Sequence, residues 1–214
     1  MSYTSATQRL LQIPEVFTGS DLTILCGWTS AIASSYLAQW RKAGLVRSLG
    51  GRSDVHMNLV RNRHVHPDLA LRRAFPRAVK VGVDVLRDAG WTTQIPTVPE
   101  VAVPTGSSLY TLPGYALGTR TAAWSQAVAP GLTQVAQGIS SLQPAWALAD
   151  MLARAQDRRI RHAWLLDPED LDLHAARQDK DAARAMQALG LGMEALEDAG
   201  YEQAYSAWFN RAKP

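Results

Sequence analysis

Residues 28–59, WTSAIASSYLAQWRKAGLVRSLGGRSDVHMNL, constrain the fold more than any other stretch of the chain. Thr29 or Ser30 can cap a helix, because a short side-chain oxygen there satisfies a free backbone N–H of the first turn. Ile32, Ala33, Tyr36, Leu37 and Trp40 recur at helical spacing and form one apolar stripe. Gly44 stops the helix. Leu45 to Leu49 and Val55 to Leu59 then alternate as two strands around GGRS, a glycine-rich turn.

The residues before it add two shorter helices. One is expected over about 4–12, with Leu10, Leu11 and Ile13 apolar and Pro14 ending it. A second is expected over about 19–26, capped by Thr18 or Ser20 and closed by Gly27. Three helices and a hairpin in this order, with a short glycine turn between the second and third helix, predict a winged helix-turn-helix. In such folds the second helix of the pair enters the major groove and presents its N-terminal side chains to base edges.

The apolar stripe leaves Ser30, Ala31, Ser34, Ser35, Ala38 and Arg41 nearer the other face. Small residues let a helix approach DNA closely, and serine hydroxyls reach phosphates or bases. Thr29 and Ser30 lie at the helix start, where free N–H groups favour a phosphate. Arg41, Lys42 and Arg47 gather at the other end, and Arg52 tips the hairpin. The predicted DNA-contacting set is therefore Thr29, Ser30, Ser34, Ser35, Arg41, Lys42, Arg47 and Arg52. Charge agrees: residues 1–65 hold seven Lys/Arg against three acids, whereas the rest of the chain has one more acid than base. The plain alternative is a solvated basic rim. A second alternative is a winged helix that binds a partner protein without reading DNA.

Composition excludes other classes. Hydrophobic residues make up 47% of the 214, enough for packed cores. No apolar run approaches the ~20 residues that span a bilayer, so no membrane partner is expected. The start, MSYTSATQRLLQIPE, lacks the basic cap and apolar run of a secretory leader, and a cytoplasmic location is expected. Cys26 is the single cysteine, which excludes an intramolecular disulfide and a cysteine-based zinc site. Within DLTILCG it reads as a small buried core residue.

A composition break near 61–73 divides the chain into a winged helix-turn-helix domain, 1–65, and a second domain, 66–214. In the second, a helix is expected from Pro76 to Gly90, with Val79, Val83 and Leu86 on one face. Four strand-like pieces follow, WTTQIP, EVAVP, SLYTL and YALGTR, cut by proline and glycine. A helix over 144–154 has Pro144 in its first turn. Asp167-Pro168 caps another, and further helices are expected over 179–189 and 191–212. A small sheet flanked by helices, with a helical tail, predicts an α+β class.

Catalytic chemistry is not evident. His64 and His66 in RHVHP would share a face if extended, but two histidines without a carboxylate or cysteine make a poor metal site. Asp167, Glu169, Asp170 and Asp172 sit where acids favour a helix start, which explains them without a cation. GLGMEA at 190–195 follows a helix rather than a strand and reads as a helix break, not a dinucleotide loop. Arg158, Arg159 and Arg161 form a second basic cluster, read as a solvated helix end. The expectation is a non-enzyme with no cofactor and no metal.

Several segments resemble the AbiEi-like antitoxins of abortive-infection toxin–antitoxin systems. VFTGSDL and SSYLAQWRKAGLVRSL resemble their helix-turn-helix domain. FPRAVKVGVDVLRDAGWTTQIPTVPEVAVPTG resembles the start of their second domain, and LQPAWALADML a later helix after a proline. The resemblance covers most of residues 1–155. It departs at Trp40, where winged helices commonly carry leucine, and in the tail after 167. It implies a transcriptional autorepressor bound to operator repeats in its own promoter. It also implies an antitoxin acting against a nucleotidyltransferase-like toxin encoded beside it, with no catalytic motif to transfer.

Overall fold

The computed structural model describes residues 5–105, 112–135, 138–157, 166–172, 175–176, 179–192 and 200–201. It is a mixed α+β protein with two sheets and two compact units. The first unit comprises Met1–Ala78, Ser108–Pro113 and Val135–Ile139, and the second Val79–Ser107, Gly114–Gln134 and Ser140–Pro214.

The first unit runs α1 (Ala6–Leu11), β1 (Val16–Thr18), α2 (Gly19–Cys26), α3 (Ser30–Lys42), β2 (Val46–Ser48), β3 (Val55–Asn58) and α4 (Pro67–Ala74). Caps set the helix boundaries. Thr18 accepts from the Asp21 N–H while the Asp21 carboxylate accepts from the Thr18 N–H, a reciprocal capping box. Gly27 ends α2 in the left-handed region, φ 65°, which a side chain would resist. That geometry gives the tight turn into α3.

Three strands pair antiparallel in the order β1-β3-β2. The helices close a core of Leu10, Ile13, Phe17, Leu22, Ala33, Leu37, Trp40 and Val46 against them. Asn58 is fully buried, and its Nδ2 donates to the Leu10 and Ile13 carbonyls at 2.7 and 3.1 Å. One side chain thereby fastens the end of α1 to the central strand. Alternation over Val55–Leu59 predicted an inside and an outside face, yet all four residues of β3 are buried. The reason is position: β3 is the central strand, and α4 packs on it and on β1. This helix continues the first unit to Ala78. His66 caps it and Pro67 occupies its first turn.

The second unit holds β4 (Val79–Val81), α5 (Val83–Asp88), β5 (Glu100–Pro104), β6 (Ala116–Arg120), α6 (Ala122–Val128), β7 (Leu132–Thr133), β8 (Ser140–Leu142), α7 (Pro144–Gln156) and α8 (Ala182–Ala188). Its sheet has the order β6-β5-β4-β8-β7, mixing parallel and antiparallel pairs. Helix α7 is buried continuously from Ala145 to Leu152, as AWALADML, apolar all round but for Asp150, requires. Helices α5 and α8 pack against it. Trp146 lies so close to Gly131 that a Cβ there would sit 2.1 Å from its indole Cγ, so this position tolerates only glycine.

Three expectations for this half need correction. The helix expected from Pro76 is a strand followed by a short helix. Val79 and Val81 are buried on either side of half-buried Lys80, and Gly82, φ 75°, separates them from α5. WTTQIP forms no strand beyond a single bridge from Thr92 to Leu171. Asp167 caps a single 3-10 turn, Pro168–Asp170, rather than a helix. EVAVP and YALGTR do form β5 and β6. Most of SLYTL, the helix over 191–212, and Arg158, Arg159 and Arg161 lie outside the described residues. No helix among the described residues is long and apolar enough to cross a membrane.

Candidate nucleic-acid interface

Helix α3 is held by one side and open on the other. Ala33, Leu37 and Trp40 are buried, while Ser30, Ala31, Ser34, Ser35, Ala38 and Arg41 are exposed. Ile32, expected in the apolar stripe, is instead 45% exposed. Tyr36 is half-buried and stacks on Trp28, with ring centroids 4.4 Å apart. The Arg9 guanidinium lies over both rings at 5.6 and 5.0 Å. Together these contacts lock the turn between α2 and α3 and fix the direction in which α3 projects.

The structure brings three of the eight predicted residues into one place. Ser34 and Arg41 of α3 face Arg52 of the β2–β3 hairpin across a cleft of about 310 Å³. Leu37 forms part of the helical wall, and Ser48, Ser53, Asp54 and His56 complete the hairpin side. The other five predicted residues are exposed outside this lining. Thr29 is the N-cap of α3, and its hydroxyl accepts from the Ile32 N–H at 3.3 Å. That hydroxyl is committed to the cap, while Ser30 is free beside it. Ser35 and Lys42 lie on exposed turns of α3. Arg47 is exposed on β2, its Nη2 3.7 Å from the Met57 sulfur.

No ion pair engages Arg41, Lys42, Arg47 or Arg52 with an acid among the described residues. Of the acids of this unit, Asp21 pairs with Arg73 at 3.0 Å, Glu15 accepts from Asn62, Asp68 lies 3.6 Å from His66, and Asp54 lines the cleft itself. Asp54 accepts from the Gly19 N–H at 2.9 Å and so ties the hairpin to the start of α2. Burial tends to raise the Asp21 pKa, but the Thr18 hydrogen bonds and Arg73 outweigh it and hold this carboxyl below its ordinary value.

His56 is the residue sequence reasoning missed. It is buried at 4% exposure, its Nε2 is 3.5 Å from Asp54 Oδ1, and its Nδ1 has no hydrogen-bond partner. The one available signal was its place between two apolar strand positions. Burial pushes its pKa below the ordinary 6.5; Asp54 opposes this and Arg41 adds to it. The unfolded chain therefore takes up a proton near pH 6.5 that the folded chain refuses. Unfolding stability rises with pH wherever the unfolded state binds more protons. The His56 contribution is complete above pH 6.5 and is lost as pH falls from there toward the depressed folded value. Denaturation from pH 8 to pH 5 is expected to show the native protein losing stability relative to His56→Gln. Parallel profiles would refute the assignment.

The other sequence candidates have structural roles. His66 accepts from the Asp68 N–H as the cap of α4, and the His64 N–H donates to Asn62. Asp170 accepts from Gln94 at 2.9 Å, and Asp172 accepts from the Ala175 N–H. No group of three or more potential metal ligands occurs among the described residues. Cys26, expected to be buried, is only half-buried at the end of α2.

No protein-family profile matches the sequence, and no curated protein matches it. The chain is similar to the crystal structure of the RV2827C protein from Mycobacterium tuberculosis. The TM-score is 0.63 at 17% identity, over 97% of this chain and 80% of that one. At that identity the likeness speaks for the α+β fold alone.

Proposed function

We propose that the first unit is a winged helix-turn-helix that binds double-stranded DNA, with α3 in the major groove and the β2–β3 hairpin as the wing. The protein on this reading is a transcriptional autorepressor at operator repeats in its own promoter. It is also an antitoxin against a nucleotidyltransferase-like toxin encoded beside it. The element order supports the DNA-binding half: helix, strand, two helices across a glycine turn, then a hairpin that pairs with the first strand. The observation that carries it is the cleft in which Ser34, Arg41 and Arg52 converge without an acid paired to either arginine.

Dimensions agree. A helix with its side chains is about 10–12 Å across, and the major groove is about 12 Å wide. Serines and alanines on the exposed face keep α3 near the narrow end of that range. The autorepressor and antitoxin halves rest on the resemblance of residues 16–22, 34–49, 75–106 and 142–152 to AbiEi-like antitoxins. A second reading, a protein-binding winged helix, is favoured by Ile24 and Leu25, exposed at 78% and 56% at the end of α2.

A gel shift across a salt series, comparing the chain's own upstream DNA with random DNA, separates the two. Preference for the upstream fragment is expected; equal affinity for both would sink the repressor role. Complex formation with the neighbouring gene product and no DNA shift would establish the second reading. Arg52→Ala is expected to weaken binding to every sequence alike and to flatten the salt slope by about one unit. An unchanged affinity and slope in that variant would reject the wing contact.

A further inference from the structure

We propose that the chain forms a homodimer through β6, which pairs antiparallel with the same strand of a second copy about a two-fold axis at Gly118. Strand β6 is an edge of the second unit's sheet. It lies in unbroken parallel register with β5 from Ala116 to Arg120. The Ala116 N–H donates to the Pro99 carbonyl, and the Arg120 carbonyl accepts from the Thr105 N–H. Backbone groups alternate sides along a strand. Ala116, Gly118 and Arg120 therefore bond to β5, and the N–H and C=O of Leu117 and Thr119 point off the sheet. Arg120 Nη1 donates to the Thr119 carbonyl at 3.3 Å, which leaves that oxygen a second lone pair. The Leu117 N–H and C=O and the Thr119 N–H have no hydrogen-bond partner among the described residues.

Folded chains protect such edges with very short strands, lysine, proline, bulges or a covering element. The opposite edge of the sheet follows that rule, since β7 has 2 residues. Strand β6 has 5, with no lysine, no proline and no bulge. Its one charged side chain, Arg120, is turned inward and bound to Asp150. Ala116 and Thr119 are exposed. An edge of this length, open and uncharged, is suited to pairing with another strand.

The outward groups identify the occupant, because they complement themselves. A two-fold axis at Gly118 sets Leu117 opposite Thr119 of the partner subunit, and Thr119 opposite the partner's Leu117. In an antiparallel ladder such a pair exchanges both N–H···O=C bonds, and the residues between form a non-bonded pair with Cα atoms about 4.5 Å apart. Gly118 takes that close position and brings no side chain to it. A Cβ there would lie 2.8 Å from Arg120 Nη1, so glycine also leaves the guanidinium its place beside the axis. No bare charge meets its like, since Asp150 and Glu100 match Arg120 within each protomer. Ile95 and Val98, 78% and 37% exposed, line one groove with Ala116 and Leu117. This apolar surface adjoins the edge and adds to the area that a short ladder would bury by itself. The pairing does not depend on DNA binding by the first unit, and its test contains no DNA.

Sedimentation velocity on the full chain, over a concentration series of about 1–300 μM suited to a modest interface, tests the proposal. The native chain is expected to pass from 23.4 kDa to twice that mass as concentration rises. Thr119→Pro deletes an outward N–H and breaks no bond within the protomer, a place where an edge strand accepts proline. Thr119→Lys puts on the edge the side chain that natural edges use against pairing. Each variant is expected to raise the dimer dissociation constant at least about tenfold, with the melting temperature of the dilute monomer unchanged for Thr119→Lys. A native chain that keeps the monomer mass across the series overturns the proposal. So does a dimer that both variants leave intact, which would put the contact elsewhere. Should Thr119→Pro not fold, Thr119→Lys and the native series decide.

Discussion

Replacing Asp150 with alanine is expected to destabilise the second unit by about 3–5 kcal/mol, the cost of leaving a buried charge without its partner. Asp150 is 2% exposed in the middle of α7, and Arg120, from β6, is 8% exposed. The arginine donates through Nε and Nη2 at 3.2 and 2.8 Å, a bidentate pair. Trp124 Nε1 donates to the same carboxylate at 2.7 Å, and its ring lies 5.5 Å from the guanidinium carbon.

Without Asp150 the guanidinium keeps the Thr119 carbonyl at 3.3 Å and one carboxylate, Glu100 at 3.4 Å, which Arg154 already engages. It does not escape by losing its proton. A guanidinium holds its proton at any pH at which the protein is folded; in the native protein burial works against its charge but Asp150 and then Glu100 outweigh it, and the variant loses the larger of those two supports. Denaturant unfolding of Asp150→Ala is expected to show a lower midpoint at unchanged slope. The pair Arg120→Met with Asp150→Leu is expected to recover most of the loss, since it removes both charges together. A single variant within about 1 kcal/mol of the native protein would show that this ion pair does not hold the unit together.

That pair also shows where sequence reasoning stops. YALGTR was legible as a strand and PAWALADML as a helix, because each carries its own periodicity and punctuation. Nothing local says that the last residue of one meets the only charge of the other. The first unit was more legible for a related reason. Thr18, Gly27 and Thr29 mark helix ends by chemistry that acts within three residues, so α2 and α3 could be placed closely. Strand β1 was hidden because it is three residues long and its last, Thr18, also caps α2. The helix expected from Pro76 failed because Val79, Val83 and Leu86 fit helical spacing, whereas the alternation of Val79, Lys80 and Val81 is local and Gly82 breaks the chain between them. The candidate interface was half legible. Its exposed helical face follows from the stripe, but convergence of Ser34, Arg41 and Arg52 depends on how the hairpin folds back.

Trp40→Ala is expected to cost about 3–5 kcal/mol, as for other fully buried large aromatics, and, on the proposed function, to abolish DNA binding with it. Trp40 is 2% exposed, and α3 buries only two other residues, Ala33 and Leu37. Its ring lies 5.9 Å from Trp28 and 5.6 Å from Tyr36, so truncation also removes the support of the turn before α3. A small unit has little stability in reserve, and a helix that leaves its core no longer holds Ser34 and Arg41 opposite Arg52. Trp40→Leu retains part of the apolar volume and is expected to lose less. The comparison with Arg52→Ala separates structure from recognition. Arg52 is exposed, so its removal is expected to change stability by no more than about 0.5 kcal/mol while flattening the salt slope. Thermal melts and gel shifts run on both variants check this together. A Trp40→Ala protein that melts like the native one would contradict the view that this single side chain anchors α3.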